Sequence, residues 1–211
     1  LYMQEIKNIS IYKQSLKDKI LETSMRMFQE KGIRAVKMDD IANKLSISKR
    51  TLYEIYDDKE RLLFEGVKRF HNIRQEQLRK VSIDSDNVMD VILYAYKQHV
   101  ESFRHTNPMF YSDMEKYPKI LKFFEQENET SHVQFVDFLR RGVNEGFFRD
   151  DVNYDIVACM FDALGKFVMS KSLYHRYSME DLMSNIIFVS LRGFCTQRGA
   201  DVLDLFLKNK Q

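Results

Sequence analysis

The sequence predicts an all-α protein in which a small helix-turn-helix domain precedes a larger helical bundle. Three observations predict it. Apolar residues recur at spacings of three and four along nearly the whole chain, as they do on buried helix faces. Only seven glycines and two prolines occur in 211 residues, too few for the many tight turns of an all-β fold. Near the start, two very short helical segments are joined by about three residues.

Composition bounds the class of protein. Apolar residues make up 44% and charged residues 30%, which is typical of a globular chain. The two cysteines, Cys159 and Cys195, are too few for a disulfide framework or a four-ligand zinc site. The apolar runs are far shorter than the ~18 residues of a membrane span. We therefore expect a reduced, cytoplasmic protein with no membrane segment, no metal and no other cofactor.

Charge is divided unevenly along the chain. Residues 1–80 hold 18 Lys and Arg against 12 Asp and Glu, a net charge of +6, whereas residues 81–211 have a net charge of −4. This asymmetry indicates that the front section meets an anion and the rear section does not.

The first helix has an apolar face at Leu16, Ile20, Met27 and Phe28, and is predicted to end at Gly32. Three apolar residues define a very short second helix: Ile41, Ala42 and Leu45.

The start signals of the second and third helices are polar. Asp39 and Asp40 lie in the first turn of the second helix, where carboxylates favour the positive end of the helix dipole. Ser48 is a suitable N-cap for a third helix over about 49–56. A short, capped, basic helix after a tight turn is the pattern of a helix-turn-helix that enters the major groove of DNA.

The fourth helix follows Asp57 or Asp58 and extends to about residue 80. It is expected to be the one element that joins the front and rear halves. After a polar linker, long helices are predicted near 86–105, 117–146, 154–175 and 180–197, with a shorter one between Pro108 and Pro118 and a final amphipathic one. The predicted domains are 12–60 (DNA binding), 61–80 (linking helix) and 81–211 (ligand binding and dimerisation).

The segment ILETSMRMFQEKGIRAVKMDDIANKLSISKRTLYEIYDDKERLL resembles the N-terminal DNA-binding domain of the TetR family of bacterial transcriptional regulators. Four motifs occur in register: F-x-E-K-G, M-D-D-I-A, S-K-x-T-L-Y and K-E-x-L-L. The remaining two thirds of the chain match only in architecture. The resemblance implies a homodimer that binds a near-palindromic operator, usually as a repressor, and is released when a small molecule enters the C-terminal bundle.

The resemblance also implies which side chains meet DNA. Ser48 would cap the recognition helix and bond phosphate, Tyr53 would project outward, and Lys59 would grip phosphate. Leu52 and Tyr56 occupy inward positions and are expected to pack in the core. The predicted DNA-binding residues are Lys37, Met38, Ser48, Lys49, Arg50, Thr51, Tyr53 and Lys59.

Several positions depart from the family pattern. Lys37 replaces the Ser or Thr that normally caps the second helix. Arg50 replaces a frequent Gly and adds a possible bidentate reader of guanine. Ile55 replaces an aromatic residue or His, and its contact would be apolar at best. Glu54 could accept from cytosine, or it could be an ordinary solvated residue; the sequence leaves both open.

Polar groups on apolar faces of the rear helices suggest a pocket for a small, largely apolar effector. The alternative is that these groups have partners in an ordinary core or are exposed. His99 and Asn128 would hold the polar end of the effector. The predicted lining is Phe70, Gln77, His99, Phe103, Phe110, Tyr111, Met114, Phe124, Asn128, Ser131, Phe135 and Phe161.

The segment NIIFVSLRGFC, residues 185–195, is apolar on more than one helix face. Such a helix packs on two sides, which favours a dimer built as a four-helix bundle; a central helix within a monomer is the alternative. The predicted interface includes Gly165, Ile186, Val189 and Gly193.

Two other classes of protein compete with a regulator: an all-helical enzyme, and a ligand-binding module that has lost DNA binding. Catalysis has little support, because the chain has no G-x-S-x-G, no phosphate-binding glycine loop and no H-E-x-x-H. The predicted partners are a double-stranded DNA operator, a second copy of the chain and a small-molecule effector.

Overall fold

A computed structural model describes the backbone of residues 2–209 and the side chains of residues 12–209, and over that range all regular elements are helices, which confirms the all-α prediction. A 3₁₀ turn at Leu173–His175 follows α8, and a π-helical segment, Met183–Phe188, connects α9 to α10. The α-helices are α1 Tyr2–Lys31, α2 Met38–Lys44, α3 Lys49–Ile55, α4 Lys59–Asp84, α5 Val88–Arg104, α6 Pro108–Met114, α7 Pro118–Asn144, α8 Tyr154–Ser170, α9 Met179–Leu182, α10 Val189–Arg192 and α11 Gln197–Lys208.

The chain divides into two compact units. The first unit comprises residues 1–74 and 105–121, and the second comprises residues 75–104 and 122–211. The expectation that the fourth helix alone joins the halves is wrong, because the chain also passes between units at residues 104–105 and 121–122. The units also differ from the predicted domain boundaries, since α6 belongs with the helix-turn-helix.

The core of the first unit is formed by α1, the helix-turn-helix and the N-terminal half of α4. Gly32 follows the last residue of α1 and has a φ of 85°, the left-handed cap that the sequence predicts. Gly66 of α4 lies against Met25 of α1 so closely that an added Cβ would be 2.4 Å from the Met25 sulfur. The fully buried residues here include Ile20, Phe28, Ile33, Ile41, Leu52, Tyr56, Leu62 and Leu63.

The second unit is built around a separate apolar core. Arg141 of α7 donates to the backbone carbonyls of Ser82 (2.6 Å) and Ser85 (2.9 Å), and so satisfies orphan carbonyls at the C-terminal end of α4. The buried core residues are Val88, Met89, Tyr96, Val100, Val136, Leu139, Phe147, Phe148, Tyr154, Ala158, Phe188, Leu191, Phe194 and Leu203.

Helix ends in the second unit differ from two predictions. The helix expected over 180–197 ends at Arg192, because residues 193–196 turn into an isolated antiparallel bridge between Phe148 and Cys195. The helix expected over 154–175 ends at Ser170. Over the described residues, no helix combines the length and the apolar character that a bilayer crossing needs.

Candidate nucleic-acid interface

The turn between α2 and α3 occupies residues 45–48. The Ile47 amide donates to the Ala42 carbonyl over 3.0 Å, which closes the turn immediately after α2. Ser46 adopts a left-handed φ of 54°, a conformation that L-residues other than Gly, Asn and Asp rarely adopt. The tight connection that the sequence predicts is therefore present, with a serine at its most demanding position.

The start of α2 is held by Asp40 and not by its N-cap side chain. The backbone amide of Lys37 donates to Oδ2 of Asp40 over 2.8 Å, while the Lys37 side chain makes no capping bond and is exposed. This confirms that Lys37 removes the usual cap. Met38 differs from its predicted contact with the groove, because its side chain is buried in the core of the first unit.

The start of α3 is capped by Ser48, as predicted. Its Oγ accepts from the Thr51 amide over 3.0 Å and lies 2.8 Å from the Thr51 hydroxyl oxygen. The two hydroxyl groups therefore bind each other and the helix end. This cap fixes the first turn of α3, from which Lys49 and Arg50 project.

The inner face of α3 anchors it to the first unit. Leu52 and Tyr56 are fully buried, which confirms the predicted core positions. The Tyr56 hydroxyl is buried without a hydrogen bond of good geometry, and burial together with the nearby Glu65 carboxylate raises the pKa of that hydroxyl. The recognition helix is thus held by apolar packing, and the phenol stays protonated.

The outer face of α3 carries the exposed charges, each in an ion pair. Lys49 Nζ binds the Asp39 carboxylate of α2, and this hydrogen bond raises the pKa of Lys49. Arg50 Nε donates to Glu54 Oε1 over 2.8 Å, and the Arg50 side chain is 89% exposed. Tyr53 is exposed, as predicted. This surface therefore presents one lysine, one arginine and one phenol to solvent.

Lys59 is placed differently from its predicted grip on phosphate. Its Nζ donates to the backbone carbonyls of Ile33 and Val36, each over 2.9 Å, and burial lowers the pKa of the ammonium group. The side chain turns inward and supplies a donor to the Val36 carbonyl and a second donor, besides the Val36 amide, to the Ile33 carbonyl. Lys59 consequently stabilises the loop that leads into α2.

The same loop is held from the other side by α6. The buried Asp113 carboxylate accepts from the Arg34 amide over 2.8 Å and from Lys116 Nζ over 3.2 Å. The Asn107 amide donates to the Gln29 carbonyl over 2.7 Å, which ties the start of α6 to the end of α1. We call Lys59 and Asp113, with their bonds to residues 33–36, the loop clamp.

Comparison with known proteins matches this geometry. Residues 20–65 match the sequence profile described as bacterial regulatory proteins, TetR family. Residues 20–65 therefore have the sequence of a TetR-type DNA-binding domain. The chain is also similar to the transcriptional repressor KstR2 of Mycobacterium tuberculosis, 26% identical over 149 residues that cover 68% of this chain and 74% of KstR2. The biofilm operon regulator IcaR of Staphylococcus epidermidis is 29% identical over 82 residues, 39% of this chain and 44% of IcaR.

Solved structures share the TetR-family fold over most of the chain. A regulator from Marinobacter aquaeolei aligns with a TM-score of 0.72 at 16% identity and covers 91% of this chain and 97% of its own. The M. tuberculosis ketosteroid regulator KstR2 aligns with a TM-score of 0.57 at 21% identity, over 86% of this chain and 95% of its own. These structures show the fold alone, whereas the profile match over residues 20–65 and the similarity to the repressors KstR2 and IcaR support a DNA-binding transcriptional regulator.

The residues predicted to line an effector pocket are divided between the two units. Phe70, Phe110, Tyr111 and Met114 belong to the first unit and the others to the second. Phe70 and Gln77 of α4 are exposed, unlike the lining positions predicted for them.

Within the second unit, four of the aromatic members of the predicted lining form two contacting pairs. The rings of His99 and Phe103 are 5.5 Å apart, and those of Phe135 and Phe161 are 5.9 Å apart. Phe124 lies 5.4 Å from Phe123 and is half-buried.

The polar members on α7 differ from the predicted role. Asn128 is exposed and its amide donates to Asp162 over 3.2 Å, while the Ser131 hydroxyl donates to the Glu127 carbonyl of its own helix. Helical Ser side chains commonly bond the carbonyl four residues back, and the apolar stripe did not reveal this.

The predicted dimer residues lie on surfaces that a partner could reach. Gly165 is exposed with open space around it, Gly193 is exposed and Ile186 is half-buried. Val189 is 63% exposed. On α8 the apolar residues at spacings of three, four and seven are exposed; this α8 face consists of Ile156, Cys159, Met160 and Phe167.

Two features of this interface were not predicted from the sequence, the Arg50–Glu54 ion pair and the contact made by Asp113. The Arg50–Glu54 pair has a signal, since the residues are four apart on a predicted helix. Asp113 has none, because it lies 79 residues from its partner Arg34. Only the folded chain brings α6 to the loop.

Proposed function

We propose that the chain is a transcriptional repressor that binds a near-palindromic operator as a homodimer and leaves it when a small, largely apolar effector binds the C-terminal domain. The observation that carries the proposal is the outward set Lys49, Arg50 and Tyr53 on a capped helix of a TetR-matching segment. The named relatives KstR2 and IcaR are repressors, which supports repression over activation. The acting protein is cytoplasmic.

The dimer is supported by the exposed apolar side chains of the second unit. A monomer that exposed Ile156 at 67%, Phe167 at 48% and Val189 at 63% would carry an unusual apolar surface. A two-fold dimer would place the two copies of α3 about 34 Å apart, the repeat of one DNA turn. Such a dimer reads a near-palindrome.

The effector is supported by the aromatic side chains near His99, Phe135 and Phe161. KstR2 is described as a ketosteroid regulator, and a structural neighbour from Saccharomonospora viridis was solved with choline, with a TM-score of 0.70. Both relatives fit the idea of a small organic effector. We expect His99→Ala to leave operator affinity unchanged and to impair release by the effector.

The test is selection of DNA by the full chain from a random duplex pool, followed by mobility shift at several salt concentrations. The affinity for the selected duplex should fall steeply with salt, because phosphate neutralisation releases counterions. If the chain enriches no sequence, or if its binding is insensitive to salt, the proposal that it is a DNA-binding regulator is wrong.

A further inference from the structure

The two charges of the Arg50–Glu54 pair stand where they oppose the stability of α3. Arg50 lies in the first turn, beside the positive end of the helix dipole, and Glu54 lies in the last turn, beside the negative end. An arginine that precedes a glutamate by four residues is also the less favourable order of an i,i+4 pair. Helix stability therefore does not account for this pair.

The geometry of the pair leaves one edge of the guanidinium pointing away from Glu54. The hydrogen bond joins Arg50 Nε to Glu54 Oε1 over 2.8 Å. Across the described residues, the two Nη groups of Arg50 meet no acceptor, and the side chains of Arg50 and Glu54 are 89% and 60% exposed. Bonding at Nε favours one orientation of the guanidinium plane, in which the two Nη groups form a fork directed away from Glu54.

We propose that Glu54 is a positioning residue that presents the Nη edge of Arg50 to a guanine in each operator half-site. The inference rests on the proposed function, since it concerns how α3 reads DNA. Guanine offers N7 and O6 as coplanar acceptors in the major groove, which match a two-pronged donor. Without the hydrogen bond to Glu54, Arg50 would bind guanine and phosphate alike, whereas Arg50 oriented by Glu54 favours guanine.

The same carboxylate lowers affinity for DNA in general. Glu54 adds a negative charge to a surface that must approach phosphates, so its presence weakens binding to every sequence. The Arg50–Glu54 pair therefore lowers affinity for all DNA sequences and raises the preference for guanine. Loss of the charge and loss of the acceptor should therefore have separable effects.

Three variants of the full chain separate these effects. Glu54→Gln keeps an acceptor oxygen and removes the charge, Glu54→Ala removes both, and Arg50→Ala removes the reader. Glu76→Ala is the matched control, because Glu76 also pairs with an exposed arginine, Arg79, at 2.8 Å and lies outside the recognition helix. Each variant binds the selected duplex, the same duplex with its guanine changed, and one with 7-deazaguanine, which lacks the N7 acceptor.

Wild type should prefer guanine to the other bases by about tenfold at one position per half-site, and lose most of that preference with 7-deazaguanine. Glu54→Gln should keep most of the preference, whereas Glu54→Ala and Arg50→Ala should lose it. Glu54→Gln and Glu54→Ala should bind unrelated DNA several-fold more tightly than wild type. Glu76→Ala should keep the guanine preference of wild type.

Three results would overturn the inference while the regulator stands. Glu54→Ala could retain the full guanine preference, Glu54→Gln and Glu54→Ala could lose it equally, or Glu54→Ala could instead lose a preference for cytosine at a neighbouring base. In the last case Glu54 would read DNA directly. Failure of the wild-type chain to select any sequence would overturn the regulator and this inference together.

Discussion

The loop clamp of the first unit and the α8 face of the second unit differ in opposite ways from an ordinary protein, in which charged groups are exposed and apolar groups are buried. In the loop clamp, a half-buried and a buried charged group are each bound to backbone: Lys59 to two carbonyls and Asp113 to an amide. On the α8 face, apolar side chains such as Ile156 and Phe167 stand in water.

The contrast separates a region whose polar groups are satisfied within one chain from a region that, in the proposed dimer, a second chain would cover. A buried charge that is fully hydrogen-bonded fixes local geometry, because removing either partner leaves an unsatisfied group. An exposed apolar face has the reverse property, since it gains free energy only when another surface covers it. The contacts of the loop clamp hold a local shape, and the exposed α8 face is the surface that the proposed dimer would cover.

The largest effect should follow from a charge on the uncovered surface. Val189→Glu would place two carboxylates in the proposed dimer interface and should raise the dissociation constant of that dimer about a thousandfold, a cost of about 4 kcal/mol. Sedimentation at micromolar concentration should then show monomers. Val133→Glu is the matched control, because Val133 is 65% exposed on α7 and should leave the dimer intact. A dimeric Val189→Glu chain would show that the interface lies elsewhere.

The next effect concerns the Asp113 side of the loop clamp. Asp113→Ala removes the carboxylate without overpacking the site and leaves the Arg34 amide without an acceptor, and should lower the free energy of unfolding by about 3 kcal/mol. Asp113→Asn retains an acceptor and should cost clearly less. Urea unfolding followed by circular dichroism, at one protein concentration, measures both. Equal losses would mean that the Lys116 ion pair, and not the amide bond, carries the effect.

Removal of the Lys59 side of the loop clamp should cost less. Lys59→Met keeps the aliphatic stem and removes both carbonyl bonds, with an expected loss of about 2 kcal/mol in the free energy of unfolding. Because the loop leads into α2, affinity should also fall for all DNA sequences about equally. Arg50→Ala should leave stability within about 0.5 kcal/mol of wild type. A Lys59→Met chain of unchanged stability that still loses DNA affinity would restore a direct phosphate contact.

The smallest effect is a rate of thiol labelling. Cys159 lies on the α8 face and should react with a disulfide reagent about tenfold more slowly in the wild-type dimer than in the Val189→Glu monomer, because the partner covers it. Cys195 serves as the internal control: burial raises its pKa to about 11, so it should react slowly in both. Equal rates at Cys159 would mean that the α8 face stays open in the dimer.

The sequence predicted those features that depend on local chemistry. Ser48 caps α3 because a serine hydroxyl reaches the amide three residues on, and Gly32 ends a helix because it accepts a positive φ. Leu52 and Tyr56 are buried because their spacing places both on one helix face. Each of these needs only neighbours within a few residues.

Features that depend on distant neighbours could not be predicted in this way. The direction of Lys59 is set by two carbonyls 23 and 26 residues earlier, and the burial of Asp113 by a loop on another helix hairpin. Likewise, Asn128 shares a stripe with aromatic residues yet turns to Asp162 on α8. Helical periodicity predicts which residues share a helix face, but not which distant residues they contact.

The assignment of α6 to the first unit has a consequence for biosynthesis. The ribosome delivers residues 75–104, which belong to the other unit, before it delivers the residues that complete the DNA-reading one. Until residue 113 emerges, the Arg34 amide has no carboxylate to bind, and closing that contact spans 79 positions of chain. A nascent or truncated chain that ends near residue 104 would contain every residue of the helix-turn-helix. It would still lack Asp113, which holds the loop that leads into α2.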